Sequence, residues 1–249
     1  MAHVRRRQPR LGVPSTGDTG SLPLTATLDA CPAGFDDVAL SPPEGAKTCI
    51  HQNAIVLGTY EAGVFVPEGA YIGVGAPVGA DSILGAMAHL ASRSVVSANS
   101  EIGAMAVVGR SAQGGSGTLV GPDSSIRRAA TAGTGVDASP GSLTVGYAAT
   151  VGDRCAFQRT CVTLGNLVTV GADCDIGARV VLAGSVSLGE GAQFGADVVV
   201  GPGVIARADL TLAERVRVGS GVVLGSGVSV DYDSAIGRDN TLGDDAHVG

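Results

Sequence analysis

The chain has 249 residues, of which 39 are glycine and none is tryptophan, with 45% apolar residues and only 16% charged ones. A globule of that length normally fills its centre with aromatic side chains; an aromatic content of 3% excludes that kind of core and favours a thin interior fed by small and branched aliphatics. The formal charge of −7 argues against general affinity for nucleic acid or anionic lipid, and no apolar run approaches the roughly 20 residues needed to cross a bilayer.

Residues 1–30 read as a disordered basic arm. Arg5, Arg6, Arg7 and Arg10 are followed by Pro, Ser, Thr and Gly without periodicity, and a charge run of this sort is usually solvated. No apolar signal-peptide core follows the first residues, so a cytoplasmic location is the expectation. Residues 31–59 contain Phe35, Ile50, Ile55, Val56 and Leu57 but no hexads, and read as an irregular cap over the open strand edges where the repeats begin. Cys31 and Cys49 fall in this segment. A bridge between them would contribute on the order of 3 kcal/mol and would move the expected location to an extracytoplasmic compartment; two reduced thiols are the alternative.

From Val66 the chain keeps a six-residue metre. An aliphatic residue recurs at Ile72, Val78, Leu84 and Leu90, and later at Leu164, Val170, Ile176, Leu182, Leu188 and onward to Val248. A second small or branched residue stands two before each. Of 31 such positions, 25 carry Ile, Leu or Val and 21 are followed directly by glycine. Six is no multiple of the helical period, whereas two inward residues at a spacing of two and then a glycine describe a very short strand and a turn. The glycine supplies either positive φ or a close approach of backbones. The metre weakens at Gly114, Ala132 and Ala138, and one extra residue enters before Val145 and again before Leu164; these two expansions should stack at one corner. Cys155 and Cys174 should lie inside, one coil apart, as buried filler. Thr131, Thr150, Thr169 and Ser187 should form an outward rank, but Ile205 and Val223 break it, which argues against an ice-binding face.

A fixed hexad predicts an all-β parallel β-helix over residues 60–249, with three hexapeptides per coil. The run "VTVGADCDIGARVVLAGSVSLGEGAQFGADVVVGPG" resembles the hexapeptide-repeat superfamily, and the resemblance covers roughly residues 60–249. It implies a left-handed parallel β-helix of about ten coils, triangular in section and roughly 50 Å long at strand spacing. It also implies trimers, and acyl transfer from an acyl-CoA or acyl-carrier-protein donor with a histidine as general base.

The chain has four histidines. His3 lies in the arm and His51 in the cap, which leaves His247 and His89 as candidate bases, both just before a repeat aliphatic and so pointing outward. His247, within "DDAHVG", has acidic chain neighbours to orient it. A zinc site of three imidazoles is not expected from two solenoid histidines far apart along the axis, and no metal is called for. "GVGAPVG" at 73–79 belongs to the repeat and lacks the helix that a dinucleotide site requires.

Neither histidine has a long loop beside it, and no closing helix follows the last hexad. The leading expectation is therefore a non-catalytic structural or scaffolding solenoid without cofactor. It would self-associate through its faces or an uncapped C-terminal end, as a trimer or an end-to-end stack. The alternative is an acyltransferase of the hexapeptide class, with His247 or His89 as base.

Overall fold

The computed structural model describes residues 31–38, 48–138, 141–158 and 161–249. The basic arm, with His3 and Arg5, lies outside the described residues. The described residues form short strands joined by turns and irregular positions, with no helix among them. Short strands follow one another at each hexad and pair in parallel with the strands of the neighbouring coils, giving a parallel β-solenoid with three faces.

Face I runs from Phe65–Val66 to His247–Val248, face II from Ile55–Val56 to Ala235–Ile236, and face III from Thr59–Tyr60 to Thr241–Leu242. Faces II and III are each one sheet of 11 strands, and face I consists of two 6-stranded sheets. Asp137 joins those two by single bridges to Leu119 and Ala156. Eleven coils at about 4.8 Å per strand make a rod ~50 Å long.

At the N-terminal end, β1 (Phe35–Val38) runs antiparallel to β2 (Thr48–His51). Strand β2 then pairs in parallel with Phe65–Val66. Parallel stacking thus reaches into the 31–59 segment, and β1 occupies the backbone edge that the first strand of face I would otherwise expose. A disulfide joins Cys31 to Cys49, tying the chain that leads into β1 to the strand beside it.

The interior is a dry column. Leu182, Val200, Leu90 and Ile72 are buried, as are the partner residues Val180, Val198 and Ala88 two positions before them. Alternation along a strand with a period of two forces this: the residue between each inward pair must face out. At the corner between faces III and I, the inward position is polar in the N-terminal half. Ser82, Ser100 and Thr118 donate to the carbonyls of Ser97, Gly115 and Gly133 in the next coil. Cys155 and Cys174 continue this column as buried thiols directed at the carbonyls of Gly171 and Gly189.

The metre's irregularities have local consequences. Ile126 pairs with Val145 and Val145 with Leu164, whereas Leu164 pairs with Leu182. Two coils therefore hold one extra residue each, at the corner between faces I and II, and the strands beyond it, Leu143–Val145 and Val162–Leu164, lengthen to 3 residues and pair with each other. Where Gly114 replaces the aliphatic, a small gap remains among Val96, Ile102, Val108, Val120 and Ile126.

Of the two reasons available for the glycine after each aliphatic, close approach is the one that applies. A Cβ on Gly73 would sit 2.7 Å from the amide nitrogen of Ser92 in the next coil. Positive φ falls two residues later in the hexad, mostly on residues other than glycine: Asp81, Asn99, Asp123, Asp173 and Asp197 all have φ between 54 and 61. Asn and Asp tolerate this conformation best among side-chain-bearing residues.

Candidate functional site

Among the described residues, the outward positions of the three faces and the exposed corners between them leave side chains free to do chemistry. Near the C-terminal end of face I, Ser229 and His247 are such positions in adjacent coils, and their backbones are in register. Asp231 lies one residue after the buried Val230, where face I turns toward face II. Its amide donates to the carbonyl of Val248 at 2.8 Å, fixing the carboxylate beside the imidazole.

The ring of His247 is held at both nitrogens. Ser229 Oγ lies 2.9 Å from Nδ1, and Asp231 Oδ2 lies 3.4 Å from Nε2. The tautomer of the ring decides which of Nδ1 and the serine hydroxyl donates, and Nε2 faces the carboxylate at ion-pair distance. The group is open to solvent, and a carboxylate, an imidazole and a hydroxyl are thereby placed in one line.

His247 is indeed next to acid, but not to the acid adjacent in the chain. Asp244 accepts from the amide of Ser226 at 2.8 Å and lies 3.7 Å from Arg207. Asp245 sits at the turn position with φ 54. Neither Ser229 nor Asp231 stands out in the sequence. One signal did point to them: a coil of three hexads places residue 229 beneath residue 247.

His89 lies on face II, a different face from His247, and stacks on Tyr71 of the preceding coil with ring centroids 4.6 Å apart. His51 accepts from the amide of Asn53 at 3.1 Å. The structure therefore does not bring the candidate histidines together. Among the described residues, no group of three or more His, Cys, Asp or Glu is placed to hold a metal ion.

Elsewhere the exposed charges pair between coils. Arg154, Arg179 and Arg215 make bidentate contacts with Asp173, Asp197 and Asp233. Hydrogen bonding from each guanidinium, and then its charge, holds these three carboxyls below the ordinary carboxylate range. In the interior, the Cys174 thiol is pushed up by its hydrogen bond with Cys155 and then by burial, which suits filler and not a nucleophile.

No family model matches the sequence, and no curated protein matches it. Solved structures do. UDP-N-acetylglucosamine acyltransferase from Campylobacter jejuni is 17% identical over 74% of this chain and 68% of that one, with a TM-score of 0.46. The enzyme of the same name from Moraxella catarrhalis is 19% identical over 76% and 70%, also with a TM-score of 0.46. A mutant perosamine N-acetyltransferase from Caulobacter crescentus, in complex with CoA and GDP-perosamine, is 16% identical over 79% and 52%, with a TM-score of 0.24. By its own repeat and strand pairing, the chain is a parallel β-solenoid with six residues per repeat.

Proposed function

We propose that the chain is an acyltransferase that moves an acyl group from a pantetheine thioester to a hydroxyl or amine, with His247 as general base. The observation that carries this reading is the imidazole held between Ser229 and Asp231.

Asp231 fixes the ring with its proton on Nε2 and stabilises the imidazolium that forms. The acceptor takes the place of the Ser229 hydroxyl at Nδ1 and gives up its proton there as it attacks the thioester carbonyl. The carbon–sulfur bond breaks, the thiolate leaves, and the proton passes from Nδ1 to sulfur, so that the products are an acylated acceptor and a free thiol. Asp231 stands at this position, in a chain of formal charge −7. A neutral or cationic acceptor therefore suits it better than an anionic one.

The test is thiol release from acetyl-CoA by the full chain, measured across a panel of neutral and amine acceptors. Acceptor-dependent release that falls about 100-fold in His247→Ala, and less in Asp231→Asn, supports the reading. No acceptor-dependent release, or full activity in His247→Ala, overturns it.

A further inference from the structure

Arg93, Arg110, Arg127 and Arg128 lie exposed on the corner between faces II and III, in three consecutive coils. They are four of the chain's 16 basic residues. Strand pairing sets their ranks. Val107 is in register with Ser125 and Ser125 with Thr144, so Arg110, Arg128 and Tyr147, three residues further on, stand one above another. The amide of Ala129 donates to the Arg110 carbonyl at 3.1 Å and that of Ala148 to the Arg128 carbonyl at 3.2 Å, which carries the stacking through the turn. Arg127 takes the hexad position that glycine fills at Gly109 and Gly146, and Arg93 stands in the rank of Ser111. At about 4.8 Å per coil, the four residues fall within ~10 Å of the rod's length.

No carboxylate answers them. Corner segments 73–76, 91–94, 109–112, 127–130, 146–149 and 165–168 contain no Asp or Glu. The outward strand residues beside the arginines are His89, Val107 and Ser125 on face II and Val95, Gln113 and Thr131 on face III, none of them acidic. None of the four makes an ion pair among the described residues, whereas Arg154, Arg179 and Arg215 on the other corners each hold a carboxylate of the next coil. Four neighbouring cations without counter-charge repel one another, and an anion from outside the chain removes that repulsion. Exposed apolar side chains continue the same corner on both sides. Val74 precedes Arg93 by one coil and is 61% exposed; Tyr147 and Leu167 occupy the two coils after Arg128 and are 48% and 57% exposed.

We infer that this corner is a docking surface for an anionic phospholipid bilayer, with the rod lying along the membrane on that edge. Three observations choose that partner. The corner of a three-sided rod is convex, and small-molecule sites are concave, so an extended anionic surface is what reaches all four guanidinium groups at once. Headgroup phosphates match the planar fork of arginine. Val74, Tyr147 and Leu167 then have apolar surroundings to enter at the headgroup boundary, as aromatic and aliphatic side chains do at membrane interfaces; a nucleic acid offers the phosphates without that apolar layer. The formal charge of −7 does not oppose this contact. The carboxylates near these coils stand on face I and on the other two corners, roughly 15–20 Å away across a face, beyond the Debye length of about 8 Å at physiological ionic strength. His247 is on face I, so this surface is separate from the proposed chemistry.

The experiment is co-sedimentation of the full chain with vesicles of phosphatidylcholine alone and of phosphatidylcholine mixed with phosphatidylglycerol, at physiological ionic strength. The native chain should pellet only with the phosphatidylglycerol vesicles, and less as salt is raised. Arg110→Gln combined with Arg128→Gln should lower the partition coefficient about thirtyfold, the usual contribution of two basic residues at an anionic surface, with circular dichroism unchanged. Arg154→Gln combined with Arg179→Gln removes the same charge from the other corners and should bind like the native chain. Leu167→Ser should also weaken vesicle binding. Failure of the native chain to pellet with phosphatidylglycerol vesicles, or an equal loss in the two double variants, overturns the inference. So does binding to duplex DNA that depends on Arg110 and Arg128 while Leu167→Ser leaves vesicle binding unchanged, which would assign the corner to nucleic acid.

Discussion

The rings of His89 and Tyr71 lie stacked across adjacent coils of face II, with planes 19° from parallel. This gives His89 a packing role, whereas the ring of His247 is held edge-on by an acid and a hydroxyl. The two histidines should therefore fail in opposite ways. His89→Ala should cost about 0.5–1.5 kcal/mol of stability, the usual worth of an aromatic pair, and leave thiol release from acetyl-CoA unchanged. His247→Ala should leave the urea midpoint nearly unmoved and lower release about 100-fold. Loss of release in His89→Ala with retention in His247→Ala would reverse the assignment.

Two glycine-to-alanine substitutions should have opposite signs. A Cβ on Gly73 meets the Ser92 amide nitrogen at 2.7 Å and the Ala91 carbonyl carbon at 2.8 Å, both backbone atoms of the next coil. Neither can move without disturbing the ladder, so Gly73→Ala should destabilise by more than about 1 kcal/mol. Gly114 differs. Its nearest contact would be the Val95 carbonyl oxygen at 3.8 Å, an ordinary distance, and it borders the gap left in the aliphatic column. Gly114→Ala should stabilise by about 0.5–1 kcal/mol, through lost unfolded-state freedom and added packing. Paired denaturant titrations decide the matter, and equal signs would refute the account.

The hexad made the inside and outside of the rod legible because a strand period of two leaves no choice. Leu182 and Val200 are buried, Thr131 stacks on Thr150, and the two one-residue expansions fall at a single corner. Three things were not legible. The antiparallel strand β1 obeys no repeat. The left-handed turn positions are held by Asp, Asn, Arg and Met as well as glycine, so composition conceals them. Asp231 does not announce itself as the partner of His247, because Asp244 and Asp245 are nearer in the chain. Contacts in a solenoid run between coils, about three hexads away.

Two carboxyls on this rod should respond to pH in opposite directions. Half-buried Glu101 titrates above its usual range, first because burial disfavours its charge and then because the Asp137 charge lies two coils away on the same face. A carboxyl raised in the folded state contributes stability that is full below its unfolded pKa, about 4.3, and is lost as pH rises through the folded value. Glu101→Gln should therefore be more stable than the native chain at pH 7 and indistinguishable from it below about pH 4. Asp233 is lowered by its hydrogen bond from Arg215 and then by that residue's charge. Its contribution is present above about 3.9 and disappears as pH falls through the folded value. Asp233→Asn should then be the less stable protein at pH 7, by a small amount because the pair is exposed, and should converge with the native chain in acid. Urea midpoints at pH 7 and pH 3 test both signs, and a gain in Glu101→Gln that persists undiminished in acid would show that burial of its charge is not the cause.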